Sequence, residues 1–292
     1  MRITVTGGTG FVGSAVVRRL RAAGHETTVL TRNPGVRAGM RAWDPLAGPP
    51  EDLAAPEAVV HLAGEPVAQR WTAEAKRRIR DSRVLGTRHL VEALARLPEK
   101  PRVLVAASAT GFYGGRGEEV LTEESAPGTG FLPEICVEWE REARRAEELG
   151  VRAVLLRTGI VLGAGGGALA KMLPPFRLGV GGRLGSGRQW MSWIHLEDVA
   201  GLAEWALRGE ARGAVNTTAP EPVRNAEFTR TLAAALRRPA LFPVPESGLK
   251  LIFGEMAQVL LESQRVEPRA ALAGGDGFRL PALAGALQGL VG

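Results

Sequence analysis

The chain has 292 residues, a formal net charge of +6, one cysteine and four histidines, a length that buries an ample core in one large α/β domain or in a nucleotide-binding domain with a smaller appended one. The lone Cys136 excludes an internal disulfide and a cysteine-rich metal centre, and His25, His61, His89 and His195 show no ligand spacing, so no structural metal is expected. No apolar run approaches the roughly 18 residues of a membrane helix, and the arginine-rich clusters around Lys76–Arg83 and Arg141–Arg145 alternate with acids as solvated helix faces do, which argues against nucleic-acid and membrane partners and for a cytoplasmic location.

The first element is a strand at Ile3–Thr6, followed at once by Gly7-Gly8-Thr9-Gly10-Phe11-Val12-Gly13 and a helix over Ser14–Ala23. In the spacing Gly7-x-x-Gly10-x-x-Gly13, one glycine makes the tight turn, one lets backbone approach a pyrophosphate, and one lets helix pack on strand. Free N–H groups at the helix N-terminus then face the phosphates. The second strand, Glu26–Leu30, ends in Thr31-Arg32-Asn33, where an NAD site would carry an acid for the ribose hydroxyls. A guanidinium at Arg32 suits the 2′-phosphate of NADP, so NADPH is expected over NADH.

Ala58–Leu62 reads as a buried strand ending in Leu62-Ala63-Gly64, small enough for a cofactor to lie against the backbone, with His61 structural. Helix Thr72–Leu97, strand Arg102–Ala107, helix Pro133–Leu149 and strand Val154–Arg157 follow. Alternating apolar strands and helices predict a doubly wound parallel sheet over residues 1–158, with a further strand and helix returning near 190–218. Residues 159–292 are expected to form mostly a smaller substrate-side domain. Its glycine-rich stretches Gly159–Gly167 and Gly179–Arg188 suit a loop ordering over a ligand or a long connection between domains. Gln189, Trp190, Trp193 and His195 suit either a substrate cleft or an aromatic core, and Arg183 and Arg188 suit an anionic substrate.

Taken together, the glycine turn, His61-Leu62-Ala63-Gly64, Gly86-Thr87, Arg102–Ser108 and Trp193–Ala200 resemble the extended short-chain dehydrogenase/reductase superfamily. More narrowly, Ser108-Ala109-Thr110-Gly111-Phe112-Tyr113-Gly114, Cys136-Val137-Glu138-Trp139-Glu140, Gln189–His195 and Ala219–Asn225 resemble an atypical, epimerase-like branch of NADP-binding proteins. The resemblance runs from end to end and implies a Rossmann fold, a substrate-orienting role for Ser108, with Thr110 a second choice, and nicotinamide contacts from the backbone at Thr158 to Ile160. It also implies dimerisation through the long helices. Typical members use a Tyr-x-x-x-Lys pair, whose lysine lowers the tyrosine pKa for proton exchange. Here the corresponding positions are Leu132 and Cys136, and Arg83 stands where a helix-bending asparagine is usual. Tyr113, the one tyrosine, is then the only phenol available as proton donor, or else packs beside the site. Arg83 and Ser108 join Gly7–Gly13, Thr31, Arg32 and Leu62–Gly64 as candidate cofactor contacts, and Glu140 beside Trp139 is a candidate to face the cofactor. Two functions are open: an NADP-dependent oxidoreductase or epimerase acting on a small hydroxyl or carbonyl compound such as a nucleotide-sugar, and an NADP-binding regulator without turnover.

Overall fold

Alternation along the apolar strands decides which helices cover which face of the sheet. In the computed structural model, which describes residues 1–35, 38–274 and 277–291, the chain runs β1 Arg2–Thr6, α1 Phe11–Ala22, β2 Glu26–Thr31, β3 Met40–Ala42, β4 Ala58–His61, α2 Ala73–Arg96, β5 Val103–Ala109 and α3 Phe131–Arg144. It continues through β6 Arg152–Thr158, α4 Gly167–Arg177, α5 Leu196–Arg208, β7 Gly213–Thr217 and α6 Asn225–Leu236. The central sheet has seven parallel strands in the order β7-β6-β5-β4-β1-β2-β3. Val103, Val105, Val154 and Leu156 face α1 and α5, while Leu104, Ala106 and Leu155 face α2 and α3. Both faces are therefore apolar, as a parallel sheet requires.

Strand order reverses direction between β1 and β4, which opens a crevice at the carboxyl ends of these strands, the usual ligand site of such sheets. α5 and β7 lie in the stretch near 190–218, and β7 pairs in parallel with β6 as the edge strand of the sheet. The remainder builds its own core of Leu162, Leu169, Phe176, Trp193, Phe228, Leu232 and Leu287. Strand β3 carries no sequence signal of its own: Met40-Arg41-Ala42 is held by register with Val29–Thr31.

His61 on β4 is fully buried, its ring between Thr6 Oγ1 at 2.6 Å and Thr87 Oγ1 at 3.0 Å. Burial pushes its pKa down from 6.5 to about 4. The unfolded imidazole takes a proton below pH 6.5 and the folded one only near pH 4, so the unfolded state binds more protons in that window. Stability is expected to fall as pH drops from 6.5 towards 4, by up to about 3 kcal/mol. Urea midpoints at several pH values should show this, with a flatter dependence in His61→Gln; an equal slope in the variant would clear His61 of the effect.

Candidate functional site

Two glycines of the first turn are required by geometry. Gly7 has φ +67°, and a Cβ there would meet the Leu62 and Ala63 backbone at 2.7 Å. A Cβ on Gly13 would sit 2.1 Å from the Gly7 carbonyl oxygen. At Gly10, by contrast, a Cβ would meet the Gly7 oxygen at 3.3 Å and nothing else close among the described residues, and Thr9 and Gly10 are exposed. Gly10 caps α1 with no side-chain partner, and the first bond across this helix end runs from the Ser14 amide to the Gly10 carbonyl. The amides of Phe11, Val12 and Gly13 precede it, which is the anion-binding arrangement of a helix N-terminus. Phe11 is clasped from outside: Cβ atoms on Gly163, Gly166 or Gly167 would all press into its ring, so the glycine-rich stretch serves packing on the turn. Val12 is half-buried beside it.

On one side of this turn lies a groove lined by Arg32, Arg41, Trp43, Asp44 and the loop to Asp52. Arg32 is exposed, just past Thr31 at the end of β2. Arg41, which ion-pairs with Asp52, is a second cation in the groove that no sequence pattern announced.

On the other side are the ends of β4 and β5. Thr6 Oγ1 accepts from the amides of Leu62 and Ala63, both at 3.2 Å, fixing the strand end. Arg83 reaches from α2 to within 3.4 Å of a Cβ position on Gly64 and lies 5.1 Å from the centre of the Trp139 ring. Its Nη1 donates to the carbonyls of Glu65 and Ile79, while among the described residues it forms no ion pair. Burial lowers its pKa. A half-buried cation in this state is costly unless a ligand supplies acceptors. Trp139 Nε1, buried alongside, has no hydrogen-bond partner among the described residues.

Leu132, Cys136 and Glu140 form one stripe on α3, spaced by four residues. Cys136 is buried, and burial with the nearby Glu140 pushes its thiol up to about 12, so it is no substitute for a lysine. Ser108 Oγ donates to Glu140 Oε1 at 2.7 Å. Arg157 grips the same carboxylate with two bonds of 2.8 Å, stacks 3.5 Å from the Phe112 ring centre and donates to Tyr113 Oη at 3.0 Å. Tyr113 Oη in turn donates to Asn216 Oδ1 at 2.7 Å. This chain of buried polar groups ties β5, α3, β6 and β7 together.

Several expectations change here. Tyr113 is fully buried, its hydroxyl is engaged on both sides, and burial raises its pKa; the structure gives it a place in the core rather than a proton-donor position. Ile160 was expected to offer its backbone to the cofactor, but its amide donates to Ser192 at 2.8 Å and that of Gly159 to Thr217 at 3.1 Å. Those donors are spent, while Thr158 remains half-exposed at the end of β6. Trp193 is core, His195 caps α5 through its Nδ1, and Gln189 Nε2 donates to the carbonyls of Leu184 and Leu260. Arg183 is spent on the carbonyls of its own loop, at Gly185 and Ser186. Thr110, the second choice for substrate, is buried. The arginine in the middle of an otherwise apolar strand, Leu155-Leu156-Arg157, was the one available sign of a buried counter-ion.

The family pattern described as the NAD dependent epimerase/dehydratase family matches residues 3–218, and a domain of unknown function, DUF1731, matches residues 244–290. The chain belongs to the epimerase/dehydratase family. Epimerase family protein SDR39U1 of Homo sapiens is 39% identical over the full length of both chains, and its chloroplastic homolog in Arabidopsis thaliana is 41% identical, covering all of this chain and 87% of that protein. The crystal structure of human SDR39U1 with NADPH aligns at a TM-score of 0.92 with 38% identity, over 100% of this chain and 99% of that one. The Thermus thermophilus UDP-glucose 4-epimerase complex with NAD, at 22% identity and a TM-score of 0.79, shares the fold with this epimerase/dehydratase-family member. Among the described residues no helix is long and apolar enough to cross a membrane.

Proposed function

We propose that the chain is an NADP(H)-dependent oxidoreductase or epimerase acting on a small hydroxyl or carbonyl compound, with nucleotide-sugars one candidate class, in the cytoplasm. The observation that carries this reading is the placement of the α1 N-terminus directly after β1, with Thr9 and Gly10 exposed, beside a groove that holds the Arg32 and Arg41 guanidinia at the ends of β2 and β3. The residues fit the cofactor: the α1 amides would take the pyrophosphate, Arg32 and Arg41 the 2′-phosphate, and Arg83, beside Gly64, would supply further donors. When bound, the nicotinamide supplies hydride exchange, and the protein supplies orientation. The human relative solved with NADPH supports the choice of nucleotide.

Titration of tryptophan fluorescence with NADPH and NADH tests the reading, with Arg32→Glu alongside the parent. The parent is expected to prefer NADPH, and the variant to lose about tenfold in NADPH affinity with NADH affinity kept or improved. No binding of either nucleotide to the parent would reject it.

Leu132 and the high-pKa Cys136 in place of the Tyr/Lys pair favour a second reading, an NADP-binding regulator without turnover. Nucleotide binding with no reaction across a panel of alcohols and carbonyl compounds would select it.

A further inference from the structure

The chain's positive charge is not spread evenly. The stretches 163–188 and 237–253 carry seven Lys or Arg residues against one acid, Glu246, an excess of six that equals the whole +6 of the chain. All seven cations are exposed, and among the described residues none forms an ion pair. The clusters around Lys76–Arg83 and Arg141–Arg145 are matched instead, Arg80 by Glu138 and Arg145 by Glu142. The expectation of no membrane partner rests on those matched clusters and does not reach this face.

The two stretches run side by side. The Val244 amide donates to the Arg183 carbonyl and the Gly185 amide to the Val244 carbonyl, both at 2.9 Å. A Cβ on Gly182 would meet the Phe242 carbonyl oxygen at 2.0 Å, and one on Gly179 the Pro239 ring at 3.6 Å. Arg177 and Leu178 are thereby set close to the run from Arg238 to Phe242. Six of the ten exposed large apolar side chains among the described residues fall in these stretches: Leu178, Val180, Leu241, Phe242, Leu251 and Ile252. Leu178 and Leu241 are 78% and 76% exposed. Helix α7, Glu246–Phe253, follows at once; it buries Leu249 but leaves Leu251 79% exposed. Large apolar groups in water beside unmatched cations suit a bilayer surface, where the side chains dip below the headgroups and the cations meet lipid phosphates.

We propose that the face formed by Arg177–Arg183 and Arg237–Phe253 docks the protein on an anionic lipid bilayer. A second copy in a two-fold contact would set these cations against themselves. Nucleic acid would complement the charge but give the leucines and Phe242 no apolar phase to enter. Anionic lipid answers both features, and the NADP(H) groove at Arg32 and Arg41 is built from other segments of the chain.

Vesicle flotation tests the proposal, with phosphatidylcholine vesicles containing about one-third phosphatidylglycerol and with phosphatidylcholine alone. The parent is expected to bind the anionic vesicles about tenfold or more tightly than the neutral ones, and to be released as added salt shortens the screening length. Arg177→Gln combined with Arg238→Gln is expected to weaken binding about thirtyfold, and Leu241→Ser combined with Phe242→Ser to abolish flotation. All four positions are exposed, and melting curves matching the parent verify the fold of each variant. Should the serine variant fail to fold, the arginine variant still decides. No binding to anionic vesicles, equal binding to both compositions, or full binding kept in either variant overturns the proposal. Tighter binding of double-stranded RNA than of anionic vesicles overturns it in favour of nucleic acid. A parent dimer in sedimentation equilibrium that dissociates in the serine variant overturns it in favour of a second copy.

Discussion

Arg157→Met is expected to destabilise the protein by about 3–5 kcal/mol, because it leaves the Glu140 carboxylate buried with Ser108 as its one remaining polar partner among the described residues. Both members of the pair are about 95% buried, with side-chain exposures of 5% and 6%, so solvent cannot substitute for the missing cation. The variant also loses the guanidinium stacked on Phe112 and the bond to Tyr113. Combining it with Glu140→Leu should recover most of the loss, since replacing a buried pair by apolar groups of similar volume removes the uncompensated charge. Urea denaturation of the two single variants and the double variant measures the coupling. A double variant as unstable as the sum of the singles would mean that the charges do not act as a pair.

Gly13→Ala is expected to abolish tight nucleotide binding while leaving a folded protein. The added methyl group meets the Gly7 carbonyl oxygen at 2.1 Å and the Gly8 Cα at 2.8 Å, both backbone, so relief requires moving the turn itself away from the start of α1. Overpacking of this kind costs about 1–3 kcal/mol of stability. Displacing the turn also misaims the amides of Phe11–Gly13, and a loss of about 3 kcal/mol in binding is roughly a hundredfold in NADPH affinity. Paired melting curves and NADPH titrations check both halves. A variant binding NADPH within threefold of the parent would remove this turn from the site.

Much of the Rossmann unit was legible because its strands are short apolar runs and its helices have the matching amphipathic period. The periodicity predicts helices over Ser14–Ala23 and Thr72–Leu97, within a few residues of α1 and α2, and the small residues of Leu62-Ala63-Gly64 mark the strand end after His61. Strand β3 has no signature in the sequence, being three residues with no apolar alternation, and nor does Arg41, whose place in the Arg32 groove depends on β3 pairing with β2. The Trp193–His195 segment read equally well as cleft or core, and only packing against Leu162 and Phe228 assigned Trp193 to the core.

By itself the sequence determined the glycine turn, the arginine after β2 and the loss of the Tyr-x-x-x-Lys pair, because each depends on residue type at a fixed spacing along the chain. Tertiary structure decided the rest. Ser108, Glu140, Arg157, Tyr113 and Asn216 come from five separate segments, and each is ordinary on its own. Which way the Ser108 proton points, and whether Tyr113 faces a substrate or the core, are set by who lies within 3 Å across β5, α3, β6 and β7. Contacts of that range arise from packing in three dimensions, and no local pattern encodes them.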